Sequence, residues 1–142
     1  GGKRRATRGR PSRPGARAIV TDICVPISRL AEAIEDTRSD LARSGVMGPI
    51  LGHVGDGNFH AILLIDPDNP AELAAAKAAS DRMVTRALAL GGTATGEHGI
   101  GIGKLDYMQR EHGGGWALMG TIKQALDPLN ILNPGKLVPP RN

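Results

Sequence analysis

Aromatic side chains are nearly absent from this chain. Its 142 residues hold one Phe, one Tyr and one Trp. That excludes a core built on stacked rings, and it removes the base-stacking platforms that single-stranded nucleic acid needs. The interior must come from Leu, Ile, Val, Ala and Met. Cysteine occurs once, at Cys24, so no intramolecular disulfide can form. A single thiol fits a reducing compartment. No apolar run approaches the roughly 20 residues of a membrane-spanning helix, so a soluble protein is expected. No secretory signal pattern is present. The chain starts with Gly rather than Met, so a fragment or a processed piece is expected. The length suits one domain with one core.

The net charge of +4 misleads. Lys3, Arg4, Arg5, Arg8, Arg10 and Arg13 fall in the first 15 residues, where no acid occurs. The remainder carries 12 basic and 14 acidic side chains. Residues 1–16 are therefore expected to be a basic, disordered tail, and 17–142 the folded domain. No aromatics interleave with the tail charges, so no nucleic-acid partner is expected.

Hydrophobic periodicity sets the scaffold. Ala18 to Val25 reads as a strand with Ile19, Thr21, Ile23 and Val25 on one face. Pro26 ends it. Ile27, Leu30, Ala31, Ile34 and Leu41 follow helical spacing up to a closing Gly45. Ile50 to Val54 and Phe59 to Ile65 are strands flanking Asp56-Gly57. Asn69, Pro70 and Glu72 mark a helix start. Its buried stripe is Leu73, Ala76, Ser80, Met83, Val84 and Ala87, and Gly91-Gly92 stops it. Thr93 to Thr95 follows as a last short strand. The order is the βαββαβ, ferredoxin-like α+β pattern, an antiparallel sheet with helices on one face. A helix around Trp116, Met119, Ile122 and Leu126 extends it as far as Pro128.

The chemistry gathers in two glycine-rich stretches. Gly52-His53-Val54-Gly55-Asp56-Gly57-Asn58-Phe59-His60 holds two of the four histidines, and Gly96-Glu97-His98-Gly99 holds a third. Asp-Gly favours a two-residue type I′ hairpin, which would set His53 directly opposite His60. Leu51, Ile62 and Leu64 would continue that face as an apolar wall. Counting rise per residue along the intervening strand and helix brings Glu97 back level with the pair. Two readings stay open on spacing alone: a structural cross-strand histidine pair, or one divalent cation on His53, His60 and Glu97, with Zn²⁺, Mn²⁺, Fe²⁺ and Co²⁺ all compatible.

Other residues read more plainly. Asp56 is a turn former, Lys104 a solvated charge, His112 exposed and Cys24 a small core residue. Trp116 and the methionines read as core. Gly96, Gly99, Gly101 and Gly103 give only a weak anion-nest signal.

Four stretches resemble the C-terminal domain of FAD-linked oxidases of the vanillyl-alcohol-oxidase type. They are Ile19 to Leu30, Gly52 to His60, Gly92 to Gly101, and Leu126-Asp127-Pro128 through Asn133-Pro134-Gly135-Lys136. Within that family the likeness is greatest to the D-lactate dehydrogenase (cytochrome) branch, with glycolate oxidase and D-2-hydroxyglutarate dehydrogenase as relatives. The resemblance implies a substrate and metal domain whose FAD lies mainly in a flavin-binding domain absent from this chain. It implies His53, His60 and Glu97 as ligands of a divalent metal, Zn²⁺ or Mn²⁺. It also implies His53, His60 and His98 at a small 2-hydroxy acid, with His98 as the base for its hydroxyl. Hydride would pass to flavin, then electrons to a cytochrome or quinone-type acceptor. D-2-hydroxyglutarate relatives carry Asn where Ile62 stands, so a smaller substrate such as D-lactate is implied. A cytoplasmic or membrane-peripheral location is expected, and the chain alone should be inactive. The alternatives are a stand-alone metal-binding or small-molecule-sensing module and a metal hydrolase.

Overall fold

A computed structural model describes residues 15–53 and 55–140 of the chain. The expected tail, residues 1–16, falls almost wholly outside them, as does Val54. The chain runs through strands β1 (Arg17–Val20) and β2 (Ile23–Cys24), a 3-10 turn at Ile27–Arg29, and helix α1 (Leu30–Ser44). Strands β3 (Ile50–His53) and β4 (Asn58–Ile65) follow, then helices α2 (Pro70–Ala89), α3 (Leu105–His112) and α4 (Gly114–Leu126).

Strand β4 is the middle of an antiparallel four-stranded sheet. On one side it pairs with β1, Arg17 opposite Ile65, and in the same register with β2, Ile23 opposite Phe59. On the other side it pairs with β3. Beyond β2 the expected last strand shrinks to one antiparallel bridge between Cys24 and Thr93. The next amide, on Ala94, turns away to donate to Glu111 Oε2, which ends the pairing.

Alternation along β4 divides the molecule. Phe59, Ala61, Leu63 and Ile65 are buried on the helix side, against Ile23, Val25, Leu30, Leu41, Ala76, Met83, Val84 and Ala87. Asn58, His60, Ile62 and Leu64 take the other face. The expected inward face of the first strand is confirmed at Thr21, Ile23 and Val25, all buried.

Local rules explain the helices. Asn69 Oδ1 accepts from the amides of Ala71 and Glu72, and Pro70 needs no intrahelical partner at the first position. Gly45 closes α1 in the left-handed region at φ 68°. Ile27 and Ala31 stay exposed, because the helix proper begins at Leu30 and turns Ala33 and Thr37 inward. Helix α3 carries no start signal, since Lys104 provides no side-chain cap, and nothing in the pattern of the sequence announces it. Met83 and Met108 are core, but Met47 is exposed at the sheet's edge and Trp116 is half-buried, its Nε1 donating to Leu137 O.

Asp40 joins the two core helices. Arg82 Nε donates to both its oxygens, at 3.0 and 2.9 Å, and Arg86 Nη1 donates to Oδ2 at 3.0 Å. Burial opposes ionisation of Asp40, but the two arginines outweigh it and hold the carboxyl below its usual range. A carboxyl with a lowered folded pKa stabilises above its unfolded value of about 3.9 and loses that contribution as pH falls through the folded value. Asp40→Asn should therefore cost about 2 kcal/mol at pH 7 in urea unfolding. The gap from wild type should narrow below about pH 4.

Candidate functional site

Two interruptions of regular structure build the site. The first is Thr21-Asp22, where the strand breaks between β1 and β2 without losing register against β4. The second is the loop joining β3 to β4. Its register sets His53 opposite Asn58 and Leu51 opposite His60. The expected two-residue hairpin, with His53 facing His60, is therefore corrected by two positions. The loop spans four residues, closed by Asp56 N donating to His53 O, with Gly57 at φ 73°. A Cβ on Gly57 would lie 2.0 Å from Val25 O, so the position requires glycine. A shift of two keeps side chains on the same face. His53 thus stays on the face of His60, one diagonal step away, and Leu51, Ile62 and Leu64 form the anticipated apolar strip beside them.

The side chains converge on Glu97. Its Oε1 lies 3.1 Å from His60 Nε2, 3.8 Å from His53 Nε2 and 3.9 Å from His98 Nε2. The ligand atoms of His53, His60 and Glu97 all fall within 4.8 Å of one another. The His53 and His60 rings meet edge to face with centroids 6.2 Å apart, and the His98 ring stacks on His60 at 5.0 Å. The His60 side chain is only 10% exposed, whereas His53, Glu97 and His98 are about half open to solvent. One anchored imidazole below and three accessible groups above leave the solvent side free for a small molecule.

His60 is anchored through one ring nitrogen. Its Nδ1 lies 2.9 Å from the carbonyl oxygen of Thr21, which can only accept, so Nδ1 carries the hydrogen. Nε2 is left facing the cluster, 3.1 Å from Glu97 Oε1. A ring tied to the backbone through Nδ1–H offers Nε2 as its nitrogen to a metal when it ligates one. His112 lies outside the cluster, beside Glu111.

Sequence reasoning missed the supports beneath these groups. Asp22 is 1% exposed at its side chain, and its carboxylate receives the turn that carries Glu97 and His98. Oδ2 accepts from Gly96 N, His98 N and Thr95 Oγ1 at 2.9–3.0 Å. Oδ1 accepts from Asn58 Nδ2 and Glu97 N. Lys104 is not a solvated charge: its Nζ donates to Asp22 O at 2.7 Å and Oδ2 at 3.1 Å. Burial alone would raise the Asp22 pKa, but the donors from His98, Asn58, Glu97 and Thr95 hold it far below the carboxylate range. Of the four glycines Gly96, Gly99, Gly101 and Gly103, only Gly96 gives its amide to this carboxylate; the other backbone donors are Glu97 and His98. A signal did exist, because an Asp inside the apolar run Ile19 to Val25 must find partners wherever it is buried. Cys24 also sits at this rim, its Sγ donating to Asp56 O at 3.2 Å.

With that geometry established, the chain can be placed among known proteins. The family described as FAD linked oxidases, C-terminal domain, matches residues 2–137, and the chain belongs to that family. Its relatives include a probable mitochondrial D-lactate dehydrogenase of Danio rerio, 47% identical over 127 residues that are 89% of this chain and 26% of that protein. The mitochondrial D-lactate dehydrogenase [cytochrome] of Arabidopsis thaliana is 44% identical, covering 89% of this chain and 23% of its own length. The GlcD subunit of glycolate oxidase from Bacillus subtilis is 37% identical, over 84% of this chain and 26% of its own. The chain spans about a quarter of the length of these curated relatives.

Gly96 has no room for a side chain. A Cβ there would lie 1.6 Å from Asn58 Nδ2 and 2.7 Å from Asp22 Oδ1. Gly96→Ala should leave the sheet folded and move the turn. A crystal structure of the variant should show Glu97 Oε1 withdrawn beyond hydrogen-bond reach of His60 Nε2, and an unmoved carboxylate would refute this.

Proposed function

We propose that this chain is the substrate- and metal-binding domain of an FAD-dependent D-2-hydroxy-acid dehydrogenase that oxidises D-lactate to pyruvate. The observation that carries the reading is the meeting of His53, His60 and Glu97 ligand atoms within 4.8 Å on an open face. The family and the names of its relatives supply the reaction class and the flavin. The residues fit a divalent cation, Zn²⁺ or Mn²⁺: two imidazoles and one carboxylate, one imidazole already oriented by its Nδ1 contact to Thr21 O.

A cation held by His53, His60 and Glu97 would supply Lewis-acid polarisation of the substrate, and FAD, bound mainly outside this chain, would supply the hydride acceptor. The chain's own residues bind and orient. His60 fixes the deep side of the site, and Glu97 and His53 stand at its open rim. His98 stands beside the cluster with Nε2 free of any donor hydrogen bond among the described residues. It takes the proton of the substrate hydroxyl as C2 gives up its hydride. The apolar strip of Leu51 and Ile62 suits a methyl substituent at C2. Electrons then leave to a cytochrome, the acceptor in the names of two mitochondrial relatives, or to a quinone. A cytoplasmic or membrane-peripheral site gives access to such acceptors.

Two measurements test this. Elemental analysis should find about one divalent cation per purified chain and a large loss in a His53→Ala, His60→Ala double variant, since an open-site ligand set needs at least three donors. Equal metal content in the two proteins would overturn the site. In the intact flavoenzyme, His98→Gln should lower kcat by roughly 10²–10⁴-fold, the usual contribution of a general base, while metal content stays.

A further inference from the structure

A buried charge lies directly against the imidazole cluster, Asp22 Oδ1 being 3.7 Å from His60 Nδ1, and the proposed reaction does not use it. Six donors converge on the two carboxylate oxygens of Asp22: the amides of Gly96, Glu97 and His98, the Thr95 hydroxyl, the Asn58 amide group and the Lys104 ammonium. A carboxylate offers about four lone-pair directions. Asp22 is therefore saturated and has none left for a cation. That decides between the two groupings of ligand atoms at this site. Asp22, His60 and His98 also lie within metal-ligand reach of one another, yet the carboxylate there is spent and the His60 and His98 rings are stacked, interplanar angle 17°. Stacked rings direct their nitrogens alongside one another rather than at a shared point.

We propose that Asp22 is the positioning residue of this site, an internal anion that folds the Thr95–His98 turn and so aims Glu97 and His98 at His53 and His60. Three consecutive amides, of Gly96, Glu97 and His98, point at one carboxylate. That arrangement fixes the backbone of both functional residues while leaving their side chains free to point outward. The turn has few other ties: among its described hydrogen bonds, Thr95 Oγ1 also reaches Gly99 O, and Thr95 N reaches Thr93 Oγ1. Asn58, on the face of His60, donates to Asp22 Oδ1 and Ile23 O together, so β2, β4 and the turn share one joint. Lys104 balances the charge from the far side and ties the start of α3 to that joint. An asparagine at position 22 cannot do this, because its NH2 group would meet at least two N–H donors.

The positioning role rests on the metal reading only for its second readout, so two measurements on the same chain separate them. The first needs no metal. Amide hydrogen exchange by NMR should show the amides of Gly96, Glu97 and His98 exchanging at least about tenfold faster in Asp22→Asn, while those of β4 and α2 keep their wild-type protection. The second is titration with Zn²⁺ against a chromogenic chelator, where Asp22→Asn should bind roughly 10–100-fold more weakly, as loss of an outer partner does elsewhere. Unchanged exchange at the three amides, or a zinc affinity equal to wild type where wild type binds, overturns the positioning role. Failure of wild type itself to bind zinc overturns the metal reading and leaves the exchange result to decide on Asp22. If Asp22→Asn does not fold, Lys104→Met serves instead. It removes one donor and the balancing charge, and it must quicken the same three amides or the proposal falls.

Discussion

Strand β4 is hydrogen-bonded on both flanks, and that constraint governs the rest of the molecule. A strand paired on both sides cannot slip without breaking two ladders at once. Its alternation is therefore fixed relative to β1, β2 and β3 together. The odd positions, Phe59, Ala61, Leu63 and Ile65, go under α1 and α2. The even positions, Asn58 and His60, are carried to the opposite face with no freedom to choose. Burial of the odd set provides the hydrophobic drive, and the site residues occupy the other face because that burial is satisfied.

The second requirement is electrostatic. A carboxylate removed from water is tolerable only when donors replace its hydration. Asp22 has that replacement in full, and apart from Asn58 the donors come from a segment more than 70 residues away in sequence. The solvation need of one side chain thus becomes the fold of a distant turn. Glycine at position 96 is a consequence, since a Cβ there would collide with the Asn58 amide that donates to the same carboxylate. The stack of His98 on His60 follows from the same placement.

Much of this is legible in the chain, and the misreadings have physical causes. The caps at Asn69 and Gly45 are local chemistry, so the bounds of α1 and α2 follow from a few neighbouring residues. The convergence of His53, His60 and Glu97 can be counted from rise per residue, because strands and helices have fixed pitch. The hairpin register cannot. Asp56-Gly57 permits a two-residue turn, but Val25 N bonds to Gly57 O and draws the loop into the sheet's other flank, leaving four residues to turn the corner. That bond spans 32 residues and leaves no local trace. The slip is even, so every side chain keeps its face, and His53 still reaches Glu97 across the diagonal. Lys104 reads as solvated because its partner, Asp22, lies 82 residues back. Helix α3 lacks both a capping side chain and a clear apolar stripe of useful length, so tertiary contact alone defines it.

Two carboxylates share this site, and their surroundings give them opposite duties. Asp22 is saturated with donors and neutralised by Lys104, so it adds little field at the open face. Glu97 has a half-exposed carboxylate whose neighbours are imidazole nitrogens. The cluster therefore presents the Glu97 carboxylate beside two imidazole rings. On the proposed reading, a divalent cation held on that set by neutral rings would keep a net charge of about +1. That charge would complement the monoanion of the proposed 2-hydroxy acid, whose carboxylate and hydroxyl would enter from the solvent side. Were Asp22 a ligand as well, the charge would fall to about zero and the attraction for an anionic substrate would be lost. The separation of one buried, internally paired acid from one exposed acid is thus what leaves the site electrostatically open to its proposed substrate.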